Sequence, residues 1–179
     1  PIRRSLKVRT VFNILGPMLN PAMAPYALVG VFSEDLVDLM ADTLYELGTK
    51  RSLVVHQSGL DELTTMAPAE VTEVTPDGIR RYEINPQELG LATCTIDDLL
   101  GGTKQVNAQM LRDVMGGQKG PVADNLNLNA AVALAAAEVA KDIKEGVAMA
   151  QEAQQSGKAG EVLTNWIELS QAIAKEESP

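Results

Sequence analysis

Asp61 and Glu62 stand side by side in the stretch VVHQSGLDELT, just after an apolar run that reads as a buried strand. Neighbours in a strand point to opposite faces, whereas in a loop both side chains can turn toward one point. Two carboxylates so aimed repel each other unless something positive lies between them. A hard divalent cation would serve. Mg²⁺ typically takes one or two carboxylates and leaves its other positions to water and substrate phosphates. The place also suits a ligand, because ligands of parallel α/β sheets bind beyond the carboxyl ends of the strands. The residues alone leave a second use open, an exposed acidic turn that opens a short helix.

Other candidates are fewer. Arg9 heads RTVFNILGP, where the chain turns apolar. A guanidinium beside apolar surface suits a planar carboxylate, which it grips with two hydrogen bonds. The alternative is a solvated member of the basic cluster Arg3, Arg4, Lys7 and Arg9. His56, the one histidine, ends a strand and reads as structural before catalytic. Gly101-Gly102-Thr103 precedes a helix and could offer backbone N–H groups to a phosphate, although a turn with an N-cap explains it as well. One His and one Cys argue against a zinc site, and there is no GxGxxG, no Walker loop and no Ser-His-Asp signature.

These side chains must be positioned by a domain of 179 residues, enough for one real core. Hydrophobic residues make up 45% and aromatics only 3%, so Ala, Val, Leu, Ile and Met must fill that core. A net charge of -9 argues against nucleic acid as the main partner, since phosphate backbones need a basic face. The single Cys94 fits a reducing cytosol and hence a cytoplasmic protein. No stretch reads as a secretory signal, and the longest apolar run, near Ala130–Ala137, is too short to span a membrane. The opening PIRRSLKVRT lacks an initiator Met and reads as the middle of a longer chain.

The periodicity predicts a strand over Tyr26–Phe32, a helix capped by Ser33, and a second strand over Arg51–His56. The helix would bury Val37, Met40, Leu44 and Leu47 and end at Gly48. Strand, helix and strand in that order imply a right-handed parallel βαβ unit. Glu70–Thr75 and Ile79–Ile84 alternate around Pro76-Asp77-Gly78, which predicts a hairpin. Asn85-Pro86 should open a helical turn, and Thr95-Ile96-Asp97-Asp98 resembles a capping box. From Thr103 on the chain should be all helical, with an apolar face of Val106, Met110 and Val114, then a buried helix over 121–140. Two further helices carry Ile143, Val147 and Ala150, and Val162, Trp166, Leu169 and Ile173. The expected fold is α/β, with a largely parallel sheet, an antiparallel hairpin extension and a helical C-terminal half.

RTVFNILGPMLNPA, YALVGVF, LVDLMADTLYELG, LVVHQSGLDEL, NPQELGL, LGGTKQVNAQMLRDVMGG, NLNAAVALAAAEVA and SGKAGEVL together resemble the anthranilate phosphoribosyltransferases. The resemblance covers nearly the whole chain, and its first block and LDE turn are its specific parts. It implies transfer of the phosphoribosyl group from phosphoribosyl pyrophosphate to anthranilate in tryptophan biosynthesis. It implies a nucleoside phosphorylase/phosphoribosyltransferase-type fold, with a small helical domain beside the α/β domain and a homodimer. It assigns Arg9 to anthranilate and assigns Asp61 and Glu62 to Mg²⁺ ions that bridge to the pyrophosphate; no general base is obvious among the residues of this chain. The family's Gly-Thr-Gly-Gly-Asp cradle, its Lys-His-Gly-Asn stretch and most of its helical domain are missing. Residues 1–179 are therefore expected to be the C-terminal part of the α/β domain, inactive alone. Two alternatives stand beside this: an enzyme like pyrimidine-nucleoside phosphorylase, and a non-catalytic module that assembles with a separate N-terminal half.

Overall fold

The computed structural model describes residues 15–176. After a single helical turn, α1 (Leu15–Met18), the chain enters β1 (Tyr26–Gly30). A 3₁₀ turn (Glu34–Leu36) leads into α2 (Val37–Glu46), and β2 (Arg51–Val55) follows. β1 and β2 are parallel, in register from Tyr26 opposite Arg51 to Gly30 opposite Val55. β3 (Ala69–Thr75) and β4 (Gly78–Ile84) form the expected hairpin around Pro76-Asp77. β3 adds antiparallel to β2, giving the strand order β1-β2-β3-β4. Among the described residues the sheet is thus mixed, with one parallel pair. The crossover through α2 makes that pair, whereas the tight turn at 76–77 allows only an antiparallel partner.

β2 is apolar on both faces because both faces are covered. Leu53 and Val55 join a core with Leu128, Val132 and Val147. Val54, between them in sequence, joins a second core with Val29, Met40, Leu44 and Val74. Alternation of side chains across the strand therefore splits the core into two layers, with the sheet between. Ser33 is extended but its side chain makes no capping bond, and the α-helix proper begins four residues later at Val37. α2 buries Met40, Ala41 and Leu44, while Leu47 lies past its end and is exposed.

The second half is helical, as its periodicity predicts. Asn85 caps a 3₁₀ turn (Pro86–Leu89) by accepting from Gln87 N at 3.2 Å. Asp98 accepts from both the backbone N and the hydroxyl of Thr95, at 2.8 and 2.7 Å, ahead of α3 (Lys104–Met115). α4 (Pro121–Ala136) buries residues on several sides, and α5 (Ile143–Gln155) packs along it. α6 (Lys158–Glu176) differs from the expectation. Its apolar row Val162, Trp166, Leu169 and Ile173 is exposed, Trp166 by 70%. Periodicity reports an apolar helix face, and nothing among the described residues covers this one.

One charged group is buried within the sheet. Glu73 on β3 is only 1% exposed and pairs with Arg51 of β2 at 2.6 Å and with Arg80 of β4. Arg51 also donates from Nη1 to Ala135 O at 2.8 Å, tying the start of β2 to the end of α4. Burial alone would push the Glu73 carboxyl up. Hydrogen bonds from Arg80 and Arg51 overcome it and hold the pKa below its ordinary value of 4.5. A carboxylate depressed in the native state adds stability above its unfolded-state pKa and loses it as pH falls through the native one. Glu73→Gln should therefore lower stability at pH 7 by on the order of 1–3 kcal/mol. It should also flatten the loss of stability on acidification below about pH 4.5. Urea midpoints of both proteins at pH 7 and at acid pH measure this. Parallel acid losses in the two would show that the ion triad carries no pH-dependent stability.

Candidate functional site

The candidate site lies where β1 and β2 end. Beyond Val55 the chain runs from His56 to Pro68 without a helix or a named strand. Such a segment must satisfy its backbone polar groups by other means. His56 turns back toward β1. Its Nδ1 lies 2.8 Å from Val31 O, and Gly59 N donates to its Nε2 at 3.3 Å. A carbonyl needs a donor and an N–H needs an acceptor, so this pair of partners selects the tautomer with the proton on Nδ1. Among the described residues both ring nitrogens are engaged with backbone, which agrees with the structural use of this histidine.

Gln57 and Leu60 exchange backbone hydrogen bonds at 3.0 and 2.8 Å across a tight reversal. Ser58 and Gly59 at its centre both have positive φ, 52° and 84°, the type I′ pattern that a Ser-Gly pair permits. The reversal carries Asp61 back over the end of β1. Its carbonyl oxygen takes the space that a Cβ on Gly30 would need. Only glycine leaves room there. Asp61 and Glu62 follow the reversal directly, both exposed, and no helix begins at either. The helix-opening use of this pair does not occur in the structure.

Past the pair the chain is buried again and held by side-chain amides. Gln57 Oε1 accepts from Thr64 N at 2.5 Å and from Thr64 Oγ1 at 2.9 Å, while its Nε2 donates to Ala67 O at 2.6 Å. Asn125 on α4 accepts from Thr65 N at 2.9 Å. Asn129, one turn further along α4, accepts from Leu63 N at 3.2 Å and donates to Leu63 O at 2.7 Å. Gly30, Gln57 and Asn129 lie within stretches that carry the family resemblance, yet the sequence alone assigns no role to any of them or to Asn125. The available signal is three Asn in DNLNLNAAVALAAA, at spacing two, inside a helix apolar nearly all round.

A cavity of about 740 Å³ opens beside the acid pair. Leu28 and Val55 of the sheet, Met110 and Val114 of α3, and Leu126 of α4 form much of its apolar wall. Asp61, Glu62, Thr64, Asn107, Asn125 and Asn129 line it with polar groups. Gly101 borders it, yet the Gly-Gly-Thr segment is used structurally. Thr103 caps α3 by accepting from Val106 N at 3.4 Å, and Gly102 N donates to Asn107 Oδ1 at 2.6 Å. The phosphate-cradle use of that segment is therefore pre-empted at Gly102.

Among the described residues, neither Asp61 nor Glu62 takes part in an ion pair. Nor does any group of three or more His, Cys, Asp and Glu side chains gather there to hold a metal. Two adjacent carboxylates are what the chain offers. They suit a hard cation that completes its shell with water and with oxygens of a bound anion, and they do not form a closed cage. Arg9, the other expected site residue, lies outside the described residues. No helix among the described residues is long and apolar enough to cross a membrane.

Comparison with known proteins fits this architecture. The family model of the glycosyl transferase family, a/b domain, matches residues 1–160. The anthranilate phosphoribosyltransferase of Geotalea uraniireducens is 46% identical over 169 residues, which is 94% of this chain and 48% of that protein. The crystal structure of the Thermus thermophilus anthranilate phosphoribosyltransferase superimposes with a TM-score of 0.83 at 42% identity, over 93% of this chain and 50% of the other. The Saccharomyces cerevisiae enzyme in complex with PRPP and Mg gives 0.82 at 27% identity, over 93% and 49%. The same yeast enzyme is also solved with 4-fluoroanthranilate. The chain spans about half the length of the curated relatives it matches. A two-layered core on a mixed sheet, an acid pair at the strand ends and a family match over 160 residues point one way: the chain belongs to the glycosyl transferase family with an a/b domain.

Proposed function

We propose that residues 1–179 form the C-terminal part of the α/β domain of an anthranilate phosphoribosyltransferase. In the full-length enzyme they would take part in phosphoribosyl transfer from phosphoribosyl pyrophosphate to anthranilate, within tryptophan biosynthesis. The observation that carries this reading is the Asp61–Glu62 pair. It is uncompensated among the described residues and sits at the carboxyl ends of parallel strands, at the mouth of a cavity. Support comes from the similar enzymes of that name and from the yeast neighbour's complex with PRPP and Mg. The free, buried Cys94 fits a reducing, cytoplasmic setting. By its resemblance the full-length enzyme would be a homodimer whose phosphate cradle and helical domain precede this part.

The chemistry follows from charge. Cleaving the C1–O bond of the donor builds positive charge on the ribose and negative charge on the departing diphosphate. Asp61 and Glu62 would hold Mg²⁺, and the bound ion would supply positive charge against that leaving group. In this role the two carboxylates would act through the ion and would donate no proton. Arg9 would grip the anthranilate carboxylate through its planar fork and turn the amine toward C1. An aromatic amine attacking a cationic ribose carbon needs no strong base, and among the described residues the lone histidine is committed to backbone.

Two measurements test the assignments in the full-length enzyme. Adjacent carboxylates that share a cation should be non-additive, because losing one disorganises the ion that the other holds. Asp61→Asn and Glu62→Gln should each lower activity and require more Mg²⁺ for half-maximal rate. The double variant should cost little more than the worse single one. Superimposable Mg²⁺ titrations would reduce the pair to an exposed turn, and activity without added metal would favour a nucleoside phosphorylase-like reaction instead. Separately, Arg9→Ala should weaken use of anthranilate by on the order of 1.5–3 kcal/mol, the worth of a charged hydrogen-bonded contact. It should leave the donor's KM much less affected, and Arg9→Lys should recover only part. A raised KM for the donor with unchanged anthranilate kinetics would place Arg9 on the phosphate side.

A further inference from the structure

We propose that Asn129 is a positioning residue for the Asp61–Glu62 pair, acting with Gly30. The inference rests on the reading of that pair as a cation site. Neither carboxylate hydrogen-bonds to another described side chain, so their placement is set by the backbone that carries them. That backbone is pinned on both sides of Glu62.

On the β1 side, the Asp61 carbonyl fills the space a Cβ would take at Gly30. On the α4 side, one carboxamide serves both backbone groups of Leu63, the residue after Glu62. Leu63 N donates to Asn129 Oδ1 at 3.2 Å and Asn129 Nδ2 donates to Leu63 O at 2.7 Å. A neighbouring strand would make the same pair of bonds, but no strand lies there among the described residues. The second hydrogen of Nδ2 goes to Asn125 O at 2.9 Å, which braces the side chain against its own helix. The amide orientation is forced. Reversed, Oδ1 would face two carbonyl oxygens. A carboxamide carries its donor and its acceptor side by side on one planar group, so that it can serve the N–H and the C=O of a single residue. Asn125, four residues earlier, takes Thr65 N at 2.9 Å, so the two asparagines grip alternate residues of the same segment. Neither Asn129 nor Gly30 offers the cation a charged ligand, which makes their role that of a support.

The test uses the full-length protein with Mn²⁺ and inorganic pyrophosphate, reading free Mn²⁺ by electron paramagnetic resonance. Asn129→Ala and Asn129→Ser should each weaken Mn²⁺ binding about 10-fold or more, the usual cost of losing a residue that orients a ligand. Asn129→Gln, which keeps both groups on a longer stem, should lose less. Gly30→Ala should weaken binding with Asn129 intact, and it carries the test if Asn129→Ala fails to fold. Asn127→Ala is the comparison. Asn127 lies on the same helix but bonds Gln154 at 3.4 Å, so this variant should lower Tm and leave Mn²⁺ affinity unchanged. Wild-type affinity in Asn129→Ser and Gly30→Ala, with affinity lost in Asp61→Asn, overturns the positioning role alone. Equal weakening in Asn127→Ala overturns it too, since any loosening of α4 would then suffice. Wild-type affinity in both Asp61→Asn and Glu62→Gln removes the cation site, and the positioning role with it.

Discussion

Thirteen residues between β2 and β3 have no ladder or helix of their own, yet Gln57 and the run Leu63, Thr64 and Thr65 within them are buried. A buried backbone group left unpaired costs on the order of 1–3 kcal/mol, so such a segment survives only if something else satisfies it. Here side-chain amides do so: Gln57 from within the segment, Asn125 and Asn129 from α4. Everything else about the site depends on this. α4 must lie against the sheet for its asparagines to reach, which is why Leu128 and Val132 of the same helix sit in one core with Leu53 and Val55. Core packing and loop docking are thus two faces of one helix. Loosening either would move the acid pair.

The coarse architecture was legible because it rests on local pattern. The runs YALVG and RSLVV are short, β-branched and flanked by turn residues, and the intervening helix has a clear apolar face. Pro76-Asp77-Gly78 between alternating segments announced the hairpin, and Thr103 announced the start of α3. The acid pair stood out because two like charges follow a buried strand. What was not legible has a physical reason. Ser33 looks like a cap, but a 3₁₀ turn intervenes, and local sequence does not separate the two outcomes. Leu47 and the α6 row are apolar in pattern and exposed in the structure, because burial belongs to neighbours and not to periodicity.

The supports of the site were hidden for a different reason. An asparagine in a helix reads as a weak helix former or as surface, and its meaning appears only when the partner backbone is known. Asn129 reaches across 66 residues of sequence to Leu63, and Asn125 across 60 to Thr65. Gly30 reads as a weak strand residue until the Asp61 carbonyl is found in the space of its missing side chain. Long-range contacts of this kind leave no local trace beyond a residue type that fits its own element poorly. Three such misfits, a glycine in a strand and two asparagines in an apolar helix, all converge on one turn.

The chemistry of those supports also matters. Arginine can also tie down backbone, as Arg51 does elsewhere in this chain by donating to Ala135 O at 2.8 Å. Cations placed beside Asp61 and Glu62 would have compensated their charge and competed with any metal ion. Glycine and carboxamides fix the backbone without adding charge. The pair is thereby held in place, yet among the described residues it stays electrostatically uncompensated. Adjacent carboxylates kept together without a counter-ion repel each other in the absence of metal. On the proposed reading, a cation entering between them would relieve that repulsion and gain attraction at once, which would favour binding over either acid singly. Because both carboxylates face solvent, the repulsion is small in water and the pair is tolerated without a cation. On the same reading, a bound anion that displaces water from the cavity lined by Leu28, Val55, Met110 and Leu126 would lower the local dielectric and strengthen the attraction. Metal and anion are then expected to bind better together than apart, and this coupling follows from placing two bare charges at the rim of an apolar cavity.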